Sequence, residues 1–181
     1  MLIELGKRAK KAESVLMTAS TEKKNSALFS IAQALKENAG AILEANAIDI
    51  ENAKKAGMKS ALIDRLSLDE KRVFSVASGV KEVALLDDPV GKILSGTVRP
   101  NGLVIEKVSV PLGVIAVIFE ARPNVTADAA ALCLKSGNSV ILRGGKEAFH
   151  SNKAIADIMR AAVEKAGLPK DCIQLVEDTS R

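Results

Sequence analysis

Residues 113–155 read GVIAVIFEARPNVTADAAALCLKSGNSVILRGGKEAFHSNKAI, and the fold turns on how this stretch divides. VIAVIF (114–119) is a continuous apolar run, the pattern of a strand buried on both faces. An Ala-rich segment follows, with Thr126 or Asn124 as its N-cap and Gly137 as its close. NSVILR (138–143) repeats the buried-strand pattern. KEAFHSNKAIADIMRAAVEKAG (146–167) is long and amphipathic, beginning near Glu147, ending at Gly167 and stopped by Leu168-Pro169. DCIQLVE (171–177) reads as a third strand. Strand and helix alternate as β-α-β-α-β with short turns, which argues for an α/β fold with a Rossmann-like parallel sheet over 113–181.

Upstream the pattern changes. Asp87-Asp88-Pro89 interrupts helix, and Pro89 opposes its continuation. Between 87 and 112 short Val/Ile/Leu runs alternate with polar residues. LVIEKVSV (103–110) reads as a half-exposed strand, with turns at Pro100-Asn101-Gly102 and Pro111-Leu112-Gly113. Residues 1–86 read as helices. Ser20 offers a hydroxyl cap with Glu22 in the first turn, Gly57 ends one helix, and the Leu66–Glu70 segment begins another. No chemistry stands out in this helical layer. The chain stops at VEDTSR, one turn beyond the third strand, which leads us to expect a fragment of a larger enzyme.

Composition narrows the functions. The 181 residues are 48% hydrophobic, enough for one core and at most two domains. There is no Trp or Tyr and aromatics are 2%, so little is available to stack on bases. No dense Lys/Arg tract points to nucleic acid. The net charge of +4 and pI near 9.1 favour anionic partners, including a phosphorylated metabolite or cofactor. Cys133 and Cys172 form no CxxC or framework spacing, which points to a reducing compartment. With neither a signal-peptide pattern nor a membrane-spanning run, the expectation is the cytoplasm. One His and two distant Cys assemble no zinc site.

Ligands in parallel α/β sheets bind beyond the carboxyl ends of the strands. The two loops there are EARPNVT (120–126) and RGGKEAFHS (143–151). In the second, Gly144 and Gly145 let backbone N–H groups face an anion, Arg143 and Lys146 supply charge, and a helix start adds free N–H groups. The competing reading is a plain glycine turn with both cations in solvent, and the residues alone leave the two open. Neither GxGxxG nor GxxxxGK[ST] is present, which argues against a Walker ATPase. In the first loop, Asn124 either caps a helix or donates to a developing oxyanion, a contact whose loss costs about 3 kcal/mol in a transition state. Arg122 either meets a carboxylate or phosphate, or pairs with Glu120. His150 reads as a helix-face or interface residue. Cys133 and Cys172 read as core.

The quoted stretch, together with ILEANAIDIENAKKAG (42–57), LIDRLSLDEKR (62–72) and IQLVEDTSR (173–181), closely resembles the gamma-glutamyl phosphate reductase (glutamate-5-semialdehyde dehydrogenase) family of the aldehyde dehydrogenase superfamily. The resemblance runs the whole chain. It implies NADPH-dependent reduction of L-glutamyl 5-phosphate to L-glutamate 5-semialdehyde, with phosphate release, in proline biosynthesis. In that family a nucleophilic cysteine attacks the acyl phosphate and hydride then reduces the thioester. Arg143-Gly144-Gly145-Lys146 stands where the superfamily holds the adenosine ribose with a lysine–proline turn. Either cation there favours the 2′-phosphate of NADP. Asn124 is carried over as the oxyanion donor, in a shorter loop than the superfamily's. The family's catalytic cysteine lies downstream of these 181 residues, and neither Cys133 nor Cys172 matches it. The resemblance also implies a homo-oligomer joined near 103–110, and glutamate 5-kinase as pathway partner. Two alternatives stand beside this reading: a truncated, self-associating module without activity, and another member of the superfamily.

Overall fold

The computed structural model describes residues 2–179 of the chain. Five helices come first: α1 (Leu2–Leu16), α2 (Thr21–Glu37), α3 (Ala39–Lys55), α4 (Ser60–Leu66) and α5 (Glu70–Leu85). Their ends are written in the sequence. Ser20 Oγ accepts from Lys23 N at 3.2 Å and Asp69 Oδ1 accepts from Arg72 N at 2.6 Å, so each satisfies a donor that the first turn leaves over. Gly57, Gly137 and Gly167 each take positive φ just past a helix. The next residue then bonds back to the carbonyl five positions earlier, as Met58 N does to Ala53 O at 3.0 Å.

A hairpin follows, β1 (Ile93–Val98) paired antiparallel with β2 (Val104–Val108). Gly102, at φ 84°, turns it, with its N–H on Arg99 O at 2.8 Å. Every residue of both strands is exposed. The alternation in 103–110 pointed to one buried face, but neither face of this ribbon packs on the described residues. Such a two-stranded ribbon has no face to bury within its own fold.

The remainder is β3 (Val114–Ile118), α6 (Asn124–Lys135), β4 (Ser139–Arg143), a 3-10 turn over Lys146–Ala148, α7 (Phe149–Lys165), a second 3-10 turn over Lys170–Cys172, and β5 (Ile173–Leu175). The strands form one parallel sheet in the order β3-β4-β5. This is the expected Rossmann-like α/β arrangement. Helices α6 and α7 pack on each other and on the sheet, as two right-handed crossovers in one direction require. Helix α1 touches all three strands and takes the other face. Among the described residues β4 alone has a strand on each side, and VIAVIF is not buried on both faces. It pairs, among the described residues, with β4 alone, and its Ala116 and Ile118 are exposed. The expected caps of α6 also differ. Pro123 occupies the cap position and no side chain caps the helix. DCIQLVE contributes only three residues to its strand, because Asp171 and Cys172 lie in the 3-10 turn.

One core joins both parts. Leu28, Ile31 and Leu35 of α2 and Ile42 of α3 share a cluster with Val140, Leu142, Ile155, Met159 and Ile173. Each fully buried Leu or Ile contributes about 2 kcal/mol. Isolated helices of this length are marginal in water, so this shared burial is what holds the helical layer on the sheet.

Candidate functional site

Register places the site. Ile118 pairs with Arg143, so β3 and β4 end level. Phe119 N then donates to Arg143 O at 3.1 Å and extends the pairing one residue further. Beyond this rim opens a cleft of about 690 Å³, lined by Ile118, Phe119, Glu120, Arg143, Gly144, Gly145, Lys146, Glu147 and Thr179. The volume lies in the range of small-molecule and cofactor sites, and the position is where parallel sheets bind them. All four residues read as a cofactor loop face this one cleft.

The two glycines do different work. A Cβ on Gly144 would collide with the amide of Asn152 and approach Phe119 at 3.3 Å. Asn152 is buried and accepts from Thr126 Oγ1 at 3.0 Å. The nearest atoms a Cβ on Gly145 would meet are those of the Glu147 carboxylate, the far end of a flexible side chain. The cleft therefore carries carboxylates, Glu120 and Glu147, beside the cations Arg143 and Lys146. Cations suit a phosphate and carboxylates suit ribose hydroxyls, so the donor set fits the ribose end of a dinucleotide.

The helix that was expected to start near Glu147 begins at Phe149, after the 3-10 turn. Its first N–H groups are not free for an anion. Asp49 Oδ1 accepts from His150 N at 3.1 Å and Asp49 Oδ2 accepts from Ser151 N at 2.8 Å. The His150 ring joins the same carboxylate, Nδ1 to Oδ1 at 2.8 Å. His150 thus sits at an interface between helices, outside the cleft lining.

Asn124 is the first residue of α6, and its Nδ2 donates to Asp128 Oδ2 at 3.1 Å. Burial pushes the Asp128 carboxyl above the usual range, and the Asn124 bond opposes that rise. Asn124 does not line this cleft. Arg122 lines a second hollow of about 410 Å³ with Arg65, Leu62 and Val125, and Phe119 and Glu120 form the wall it shares with the cleft. No ion pair joins Arg122 to Glu120 among the described residues. Cys133 and Cys172 are buried, and burial raises their thiols to about 11 and about 12. Among the described residues no group of His, Cys, Asp and Glu could hold a metal ion, and no helix is long and apolar enough to cross a membrane.

Asp49, Asn46, Ser151 and Asn152 escaped the sequence reading, and Thr126, expected as a cap, bonds Asn152 instead. A signal was present in ANAIDI: Asn46 and Asp49 stand three apart on a helix, hence on one face. Both are almost fully buried on the face that packs against α7. Such a polar pair on a core-facing stripe needs partners.

A three-stranded parallel sheet with helices on both faces and its polar cleft at the carboxyl ends of adjacent strands defines a Rossmann-like α/β protein. The chain belongs to the aldehyde dehydrogenase family, whose sequence pattern matches residues 3–181. It is 53% identical over 180 residues to a gamma-glutamyl phosphate reductase of Carboxydothermus hydrogenoformans, covering 99% of this chain and 43% of that relative. Crystal structures of gamma-glutamyl phosphate reductases from Thermotoga maritima and Saccharomyces cerevisiae superpose with TM-scores of 0.98 and 0.92, at 43% and 40% identity. They cover 99% and 98% of this chain, and the chain covers 44% and 46% of them. The chain thus spans less than half the length of the relatives it matches.

Proposed function

We propose that this chain forms the NADPH-binding part of a reductase. The complete reaction converts L-glutamyl 5-phosphate to L-glutamate 5-semialdehyde with release of phosphate, in proline biosynthesis. The supporting observation is the convergence of Arg143, Gly144, Gly145 and Lys146 on one cleft at the strand ends, in a chain whose relatives carry the name gamma-glutamyl phosphate reductase.

NADPH, when bound, supplies hydride. The part of this chain is to bind and orient. Arg143 and Lys146 would hold the ribose and its 2′-phosphate, and the side-chain-free Gly144 lets the backbone approach. Asn124 Nδ2 carries a second N–H beside the one given to Asp128, and the proposed oxyanion role uses that one. Cys133 and Cys172 are buried, and burial pushes both thiols up, away from the thiolate a nucleophile needs. Their burial supports a reading in which neither is the nucleophile of the proposed chemistry. The same observation supports the second reading, a cofactor-binding or self-associating module that turns nothing over alone. Exposed Ile93, Leu94, Val98 and Val104 on the hairpin suit contact with a second copy. Glutamate 5-kinase would supply the acyl phosphate, and the cytoplasm is the proposed compartment.

Titration of the chain with NADPH and NADH tests the reading. Tighter NADPH binding that weakens in Arg143→Ala or Lys146→Ala supports it. Equal binding of both, or none of either, counts against it.

A further inference from the structure

We infer that Asp49 is a positioning residue for the Arg143–Lys146 loop, acting through the first turn of α7; this rests on the cofactor reading above. Asp49 lies on α3 and is 2% exposed. Its two oxygens take four contacts: His150 N at 3.1 Å, His150 Nδ1 at 2.8 Å, Ser151 N at 2.8 Å and Ser151 Oγ at 2.6 Å. One turn earlier, Asn46 Nδ2 donates to Ser151 Oγ at 3.0 Å and to Leu66 O at 2.8 Å, while Asn46 Oδ1 accepts from Leu68 N at 2.8 Å. A buried polar cluster thus ties α3, the α4–α5 connection and the start of α7 together.

The cap is remote by construction. The local cap position of α7 is Ala148, which has no side-chain acceptor. A helix that needs only its first N–H groups satisfied gets a Ser, Thr, Asp or Asn there. A carboxylate brought from α3 instead fixes where α7 begins relative to the helical layer. Burying that carboxylate costs desolvation, and the convergent donors offset it.

Two consequences reach the cleft. The positive end of α7 is neutralised inside the fold, so an incoming phosphate is directed to Gly144–Lys146 and its cations rather than to the helix. The 3-10 turn Lys146–Ala148 runs straight into Phe149, so no slack separates the anchored turn from Lys146. From the other side Asn152, held by Thr126, closes the space beneath Gly144. The loop is clamped between these two anchors.

The test uses the native chain with Asp49→Asn, Asp49→Ala and Ser151→Ala. Each is titrated with NADPH, and amide hydrogen exchange is followed at Gly144–Lys146 under conditions where its melting curve shows it folded. The expected result is at least tenfold weaker NADPH binding in Asp49→Ala and a smaller loss in Asp49→Asn, whose amide oxygen still accepts. Exchange at Gly144–Lys146 rises in the same order, while α2 and α5 keep native protection. If Asp49→Ala does not fold, Asp49→Asn and Ser151→Ala carry the test. Native exchange at Gly144–Lys146 in the folded variants overturns the inference, as does NADPH binding within twofold of the native chain. Absence of NADPH binding by the native chain overturns the cofactor reading instead, and the exchange measurement then decides the positioning role by itself.

Discussion

Thr126 Oγ1 donates to Asn152 Oδ1 at 3.0 Å, a buried bond between α6 and the first turn of α7 that fixes the Asn152 amide beneath Gly144. Gly144→Ala would drive a methyl into that amide, and Asn152 is buried and held by Thr126. The expected cost is about 1–3 kcal/mol, the usual range for overpacking, with a matching loss of NADPH binding. Gly145→Ala first meets the far end of the Glu147 side chain and should cost less than about 1 kcal/mol, since a flexible side chain yields where a packed one cannot. Urea melts of the two variants give the comparison. Equal losses would show that Asn152 is not held as described.

Lys146 and Glu147 set opposite charges at the mouth of the same cleft. Lys146→Ala should weaken NADPH about tenfold, near the value of one charge-assisted hydrogen bond, and leave NADH within about twofold if the contact is to the 2′-phosphate. Glu147→Gln removes a repelling carboxylate and should tighten NADPH relative to NADH. Fluorescence titration with both nucleotides separates these effects. An equal change for both nucleotides would place Lys146 away from the 2′-phosphate.

Cys133 and Cys172 should stay unmodified by iodoacetamide at pH 8 in the folded chain and react once it is denatured. Burial raises the two thiols to about 11 and about 12, so almost no thiolate exists at that pH. Mass mapping after exposure to an acyl-phosphate analogue should likewise find neither cysteine acylated. Selective acylation of Cys133 would contradict its assignment to the core.

Asp88 anchors the root of the hairpin. It accepts from Lys24 Nζ at 2.9 Å, Thr21 Oγ1 at 2.7 Å and Val90 N at 3.0 Å. Burial alone would raise its carboxyl, but these bonds outweigh burial and hold it below the usual range. A depressed carboxylate stabilises the fold above its unfolded value of about 3.9, and that stability is lost as pH falls through the lower folded value. Asp88→Asn should therefore be less stable at neutral pH, by about 3 kcal/mol because Lys24 is left buried and unpaired. The gap to the native chain should close on acidification. Denaturant melts between pH 7 and pH 3 measure it, and a gap that stays constant would remove Asp88 from the acid response.

Much of this was legible beforehand because it is local. The glycines at 57, 137 and 167 take the positive φ that closes a helix, and Ser20 and Asp69 sit where a first turn lacks acceptors. The loop Arg143–Lys146 was found because strand, glycine pair and cations are contiguous in sequence. Edge and centre were not legible. VIAVIF and NSVILR look alike, yet among the described residues β3 has one neighbour and β4 has two. The caps of α6 failed for a related reason. Thr126 has a hydroxyl fit for capping, but tertiary packing directs it to Asn152.

The sequence by itself determined the order of strands and helices, several of their ends, and the loop Arg143–Lys146 that lines the cleft. Each follows from propensity, periodicity and turn chemistry acting within a few residues. The tertiary structure decided who completes the site. Asp49 reaches His150 and Ser151 across about a hundred positions of chain, and Asn152 takes the space beneath Gly144. Those pairings exist only because α3 and α6 pack on α7, where buried polar groups must find partners that no local pattern names.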